Sequence, residues 1–283
     1  MGKIIAVSGK GGTGKTTIAS LIIKALLESN AGTILAVDAD PNSTLADALG
    51  LRVEDTLSSI CEEMLKEKEN LPAGMTKDRY LEYRIQQSLV EEGDLALLVM
   101  GRPEGPGCYC YANNLLREIV KDLTESYKFT VIDNEAGMEH LSRKTMRRID
   151  ILFVISDFST IGVRSAARIY KLANEMGINL GKSFLIVNKV RPVRNGVPHP
   201  ITNPAAQGAI CDAARYGISN GVKDGISSLQ KEIEKSGLAL VGTLPFASEI
   251  EELSVNSRAL SELPKESEII KKVDEIVNDA VLK

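Results

Sequence analysis

The chain has 283 residues, 43 % hydrophobic and 25 % charged, which is globular composition with ample length for a buried core. A formal net charge of −4 argues against a general nucleic-acid or membrane-surface binder, and the lack of Trp with only 4 % aromatics argues against base-stacking platforms. No segment is long and apolar enough to span a bilayer, and four cysteines without a secretory signal point to the reducing cytoplasm.

In chain order, "KIIAVS" (3–8) reads as a first strand, broken at once by the glycine-rich "GKGGTGK" and followed by a helix over 15–29. "TILAVD" (33–38) is the second strand. The charged stretch 54–92 reads as two helices divided by Pro72 and Gly74. "LALLVM" (95–100) and "FTVID" (129–133) are strands with a helix over 111–126 between them. "ILFVIS" (151–156), a helix over 160–176 and "FLIVN" (184–188) follow. Residues 191–236 are rich in Gly, Pro and Asn and then turn helical, like an insertion ahead of the last strand, "LALVG" (238–242). In the final stretch Ile269, Ile270, Val273, Ile276, Val277, Ala280 and Val281 form an apolar stripe. Its other face mixes Lys with Glu and Asp, so the expectation is a helix docked on the sheet rather than one lying on a membrane.

These strands are apolar throughout, as strands covered by helices on both faces are. Their alternation with helices predicts an α/β fold: a single doubly wound, mostly parallel sheet with helices on both faces. One domain is expected over 1–283, with 191–236 inserted within it.

Gly9, Gly14, Lys15 and Thr16 satisfy G-x-x-x-x-G-K-[ST] between a strand and a helix, the context a phosphate-binding loop requires. Such a loop curls backbone N–H groups around phosphates at a helix N-terminus. The candidate nucleotide contacts are therefore Gly11, Gly12, Thr13, Gly14, Lys15, Thr16 and Thr17. Lys15 would reach the β- and γ-phosphates, and the Thr16 hydroxyl would hold Mg²⁺. Asp133 ends an apolar run as a second Mg²⁺ residue does. Asp40, in "DADPNST" after the second strand, is positioned to orient an attacking water; Asp38 is a weaker candidate with a structural reading open. Glu135, Glu139 and His140 follow Asp133, where coupling the loop to an interface is favoured over direct catalysis. In "NKVR" Arg191 stands where guanine-specific N-K-x-D has its Asp, and a guanidinium has no acceptor. The base is read as adenine, with Asn188 open to it.

With Lys10 inside the loop, K-G-G-x-G-K-T resembles the deviant Walker A P-loop ATPases, which include MinD, ParA and the nitrogenase iron protein. The resemblance implies an ATP-dependent homodimer in which Lys10 acts across the interface, catalysis by Lys10, Lys15 and Asp40, and a base contact at Pro245 and Phe246. Family members often carry an Asp after the aromatic residue, where this chain has Ala247.

"GRPEGPGCYC" and "DNEAGMEHLSR" narrow the resemblance to the CooC and AcsF types, which serve nickel insertion into carbon monoxide dehydrogenase and acetyl-CoA synthase. In a regular strand the two positions of a C-x-C pair stand about 6.6 Å apart. Gly105, Pro106 and Gly107 suggest instead a turn in which Cys108 and Cys110 converge on one ion. Two chains about a dyad would offer four thiolates, suited to Ni²⁺ or Zn²⁺. The resemblance makes Ni²⁺ the cargo and a nickel enzyme the client, with no nucleic acid or membrane partner. A strained disulfide and a pair of inert thiols are the rival readings of the two cysteines. A partitioning ATPase of MinD or ParA type and an electron-transfer ATPase with an interfacial Fe–S cluster are the rival functions. Against the latter, the segment after Asp133 offers no second cysteine. Cys61, His199 and Cys211 carry no assignment, a second metal site at His199 and Cys211 being the weaker reading of that pair.

Overall fold

The structure is a computed structural model that describes residues 2–66, 75–102, 121–136, 148–190 and 220–283. Its elements are β1 (Lys3–Gly9), α1 (Lys15–Glu28), β2 (Ile34–Ala39), α2 (Leu45–Leu49), α3 (Leu57–Lys66), α4 (Lys77–Ser88), β3 (Val90–Glu92) and β4 (Leu95–Val99). Residues 121–126 are helical. Then come β5 (Phe129–Asn134), β6 (Arg148–Asp157), α5 (Thr160–Glu175), β7 (Asn179–Val190), α6 (Asn220–Lys235), β8 (Ala239–Pro245), α7 (Ser248–Val255) and α8 (Glu268–Val277).

The described strands form one sheet in the order β3-β4-β2-β5-β1-β6-β7-β8. All neighbours are parallel except β3 and β4. The expected doubly wound α/β architecture is therefore the observed one. Side chains alternate across each strand, so β1 sends Ile5 and Val7 into the core under α1 and Ile4 and Ala6 to the opposite face. α1 is buried nearly all round because α8 covers its outer side. The stripe from Ile269 to Val281 is only 0–4 % exposed, docked against α1 and β8 as expected. Among the described residues no helix is long and apolar enough to cross a membrane.

Two features depart from the sequence reading and one agrees with it. β6 and β7 extend beyond the apolar runs that mark their centres, because main-chain pairing continues where Asn179, Lys182 and Ser183 replace the apolar residues. β3 is a three-residue antiparallel edge strand whose Glu91 and Glu92 are exposed, and it carries no apolar signal. Such a short charged strand is a poor template for further pairing. The stretch 54–92 does hold two helices, α3 and α4, while Pro72 and Gly74 lie outside the described residues.

Strands β2 to β5 lie on one side of β1 and β6 to β8 on the other. The carboxyl end of β1 therefore opens into the crevice where the connections diverge, the usual ligand position in such sheets. Val7 pairs with Asp133, and Asp133 pairs with Asp38, so the loops after β1, β2 and β5 leave the sheet at one level.

Candidate nucleotide site

The loop after β1 turns on glycine. Gly12 and Gly14 hold φ of 80° and 91°, a region a side chain enters only with strain. A Cβ on Gly11 or Gly12 would meet nothing within 4 Å, so these glycines face open space, as a cradle for a ligand does. Gly9 is different: a Cβ there would lie 2.5 Å from the Ile155 carbonyl oxygen of the neighbouring strand. Thr13 closes the loop on itself, its hydroxyl donating to the Lys10 carbonyl at 2.8 Å. Lys15, at the first position of α1, is 8 % exposed, whereas Lys10 at the loop tip is exposed.

Two side chains from the end of β7 grip the loop from outside. The Asn188 amide donates to the Thr13 carbonyl and the Lys189 ammonium to the Gly12 carbonyl, each at 2.8 Å. Lys189 holds a left-handed φ of 58° while doing so. Asn188, read from the sequence as open to the base, uses its side-chain N–H to brace the phosphate loop in this structure. Pro245 pairs with Val190 in the sheet, so Asn188 and Pro245 end adjacent strands at the same edge.

On the other side of β1 lie the carboxylates. Asp133 is wholly buried, and its Oδ2 accepts the Thr16 hydroxyl at 2.5 Å. Its buried Oδ1 has no hydrogen-bond partner among the described residues. Burial raises its pKa to about 7; the Thr16 bond and the Lys15 charge oppose that rise, and Asp38 adds to it. Asp38 is also wholly buried, and burial lifts it to about 6 against the lowering effect of two backbone N–H donors. Those donors are Asp40 at 3.1 Å and Leu45 at 2.9 Å, so Asp38 holds both ends of the loop that carries Asp40. The Asp40 carboxylate is half-buried and accepts both the backbone and the amide N–H of Asn42 at 2.9 Å.

Thr16, Thr17, Thr44, Asp47, Ser254 and Arg258 help line an open cleft of about 670 Å³ beside the first turn of α1. Thr44 and Lys189 are site residues that sequence reasoning did not single out. Lys189 stood inside "NKVR"; Thr44 had only its place four residues after Asp40 as a signal.

Cys108, Cys110, Glu139, His140, Arg191, His199 and Cys211 lie outside the described residues, as do Gly105, Pro106 and Gly107. Among the described residues no group of three or more His, Cys, Asp or Glu is placed to hold a metal. Cys61 is a core thiol of α3, raised to about 11 by burial and so protonated and inert at neutral pH.

A parallel sheet whose first strand delivers a glycine loop and a lysine to a helix N-terminus, with a buried carboxylate opposite, is the fold of the P-loop NTPases. Within that class the chain belongs to the CobQ/CobB/MinD/ParA nucleotide binding domain family, whose model matches residues 4–199. It is 43 % identical over 282 residues to an uncharacterized ATP-binding protein of Methanocaldococcus jannaschii, covering 99 % of each chain. It is 34 % identical over 185 residues to the carbon monoxide dehydrogenase accessory protein CooC of Rhodospirillum rubrum, covering 62 % of this chain and 70 % of that one. In fold it is similar to the septum site-determining protein MinD of Pyrococcus horikoshii complexed with Mg-ADP, with a TM-score of 0.61, 18 % identity, and coverage of 99 % and 96 %.

Proposed function

We propose that the chain is an ATP-hydrolysing, dimerising metallochaperone whose substrate metal is nickel and whose client is carbon monoxide dehydrogenase or acetyl-CoA synthase. The ATPase half rests on one observation above all: the buried Oδ1 of Asp133, without a hydrogen-bond partner among the described residues, beside the Thr16 hydroxyl. An orphan carboxylate oxygen in a hard-oxygen setting fits Mg²⁺ shared with phosphates. The bound ion would neutralise phosphate charge. Thr16 would ligate it and Asp133 hold its shell, while Lys15 and the backbone N–H groups from Gly11 to Thr17 orient the phosphates. Asp40 would place the attacking water. Lys10, exposed at the loop tip, would reach the nucleotide of a second copy.

The nickel half draws on the similarity to CooC and on the Cys108–Cys110 pair. Likeness of fold to MinD supports a partitioning ATPase as the second reading. The C-terminal stripe does not itself serve such an ATPase as a membrane anchor, since those residues pack inside the fold. Equilibrium dialysis against Ni²⁺, with and without a non-hydrolysable ATP analogue, separates the readings. A chaperone takes up nickel stoichiometrically per dimer, and the Cys108→Ala, Cys110→Ala double variant loses that uptake while still binding nucleotide. Wild-type uptake by the double variant defeats the cysteine assignment. Absence of stoichiometric uptake by the wild type defeats the nickel reading itself.

A further inference from the structure

The loop from β2 to α2 departs from ordinary helix capping. Thr44 occupies the N-cap position of α2, where a threonine hydroxyl normally accepts a backbone N–H of the first turn. It makes no such bond. The N–H of Leu45, the first residue of the helix, goes to Asp38 Oδ2 at 2.9 Å, from the end of β2. The other oxygen of Asp38 holds the N–H of Asp40 at 3.1 Å, so one buried carboxylate secures both ends of the loop. Ser43, just ahead of Thr44, takes a left-handed φ of 53° and donates its N–H to the Asp40 carbonyl at 3.0 Å.

The hydroxyl of Thr44 makes no capping bond, and it stands 3.4 Å from Thr16 Oγ1. Thr16 has a single hydroxyl proton and gives it to Asp133 Oδ2. Thr44 is therefore the donor of the pair, and its own oxygen keeps its acceptor capacity. Oxygen-bearing side chains from the β2–α2 loop, α1 and β5 then stand in one row, Thr44 beside Thr16 and Thr16 on Asp133. Asp133 brings the buried Oδ1 that has no hydrogen-bond partner among the described residues.

We infer that Thr44 contributes its hydroxyl to the cation site formed by Thr16 and Asp133, either on the ion or on a water of its shell, and that Asp38 is the positioning residue that sets it there. The inference rests on the reading of this region as an Mg-nucleotide site. It adds a consequence for the loop: the residue that begins α2 is tied to the ion, so occupancy of the site is felt by α2 and by the Asp40 turn that precedes it.

The test is the Mg²⁺ dependence of binding a non-hydrolysable ATP analogue, measured calorimetrically, alongside thermal melts of the metal-free proteins. Thr44→Val removes the hydroxyl at nearly constant shape and is expected to raise the Mg²⁺ midpoint about tenfold or more, as loss of one charge-assisted contact does. Thr44→Ser keeps the hydroxyl and stays close to wild type. Metal-free melting temperatures stay unchanged in both; Thr44→Ala repeats the measurement should the valine variant not fold. Asp38→Asn also raises the midpoint, and adding Thr44→Val to it changes nothing further, because both act through one hydroxyl. A wild-type Mg²⁺ midpoint in Thr44→Val, with a lowered melting temperature, makes Thr44 a plain helix cap and overturns the inference. Additive effects of Asp38→Asn and Thr44→Val overturn the positioning role. If Lys15→Ala binds the analogue as the wild type does, the nucleotide reading itself fails, which is distinct from failure at Thr44 alone.

Discussion

Asp38 on β2 and Asp133 on β5 stand opposite one another in the parallel ladder, both wholly buried. Burial discourages the ionisation of both, and the Asp38 charge adds to the rise at Asp133, with pKa values of about 6 and about 7. A carboxyl raised above its ordinary 3.8 keeps its proton in the folded chain after the unfolded chain has lost it. These two groups therefore favour folding most below pH 3.8, and the metal-free protein loses that contribution as pH rises to about 7. Asp133→Asn is expected to flatten the fall, gaining on the order of 2 kcal/mol over the wild type at pH 8. Urea unfolding of both proteins at pH 5 and pH 8 measures it; parallel slopes would refute the assignment. Mg²⁺ with nucleotide favours the ionised carboxylates, so binding at pH 7 releases protons, seen as heats that vary with the buffer's ionisation enthalpy.

Asp40→Ala should leave nucleotide affinity within a few-fold of wild type while turnover drops by about a hundredfold or more, since an unoriented water attacks poorly. The Asn42 bonds now fixing the Asp40 carboxylate suggest that Asn42→Ala shares a milder form of this defect. Phosphate release under saturating ATP checks both, and unimpaired turnover in Asp40→Ala removes Asp40 from the hydrolytic role.

Lys10→Ala should lower the ATP-dependent dimer fraction in sedimentation while the single chain still binds nucleotide. In the proposed dimer Lys10 reaches the second copy's nucleotide, and its removal would leave phosphate charge uncompensated there. Equal dimer fractions in the two proteins assign Lys10 to its own loop alone.

Lys189→Met should weaken nucleotide binding by about tenfold, through loss of the charged bond to the Gly12 carbonyl. The same change relieves nothing at the left-handed backbone, so Lys189→Gly gives a useful contrast: equal loss of the latch with less strain. Nucleotide affinity unchanged in Lys189→Met shows that Asn188 alone braces the loop.

The phosphate loop could be read from the sequence because its chemistry is contiguous: glycines, lysine and threonine act within one short turn. The strand centres and the C-terminal stripe were equally legible, since each declares itself by local periodicity. Thr44 was not, and Asp38 was read only as a weaker candidate with a structural role open. Thr44 stands out because Asp38 holds the backbone at both ends of its loop and because its hydroxyl lies beside Thr16. That second contact joins the loop after β2 to the helix after β1, strands that β5 separates in the sheet, and no local spacing records it. β3 escaped for the opposite reason: as an exposed edge it buries too little to carry an apolar pattern.

The docking of α8 has a bearing on how the chain folds. α1, at whose N-terminus the nucleotide loop lies, is covered by Ile269 to Val281, far along the chain from it. A contact between segments so distant in sequence costs more loop-closure entropy than a local one, so it forms late as the chain folds. Before it forms, the apolar surface that α8 covers on α1 faces water, and a folding intermediate with that surface open is prone to associate.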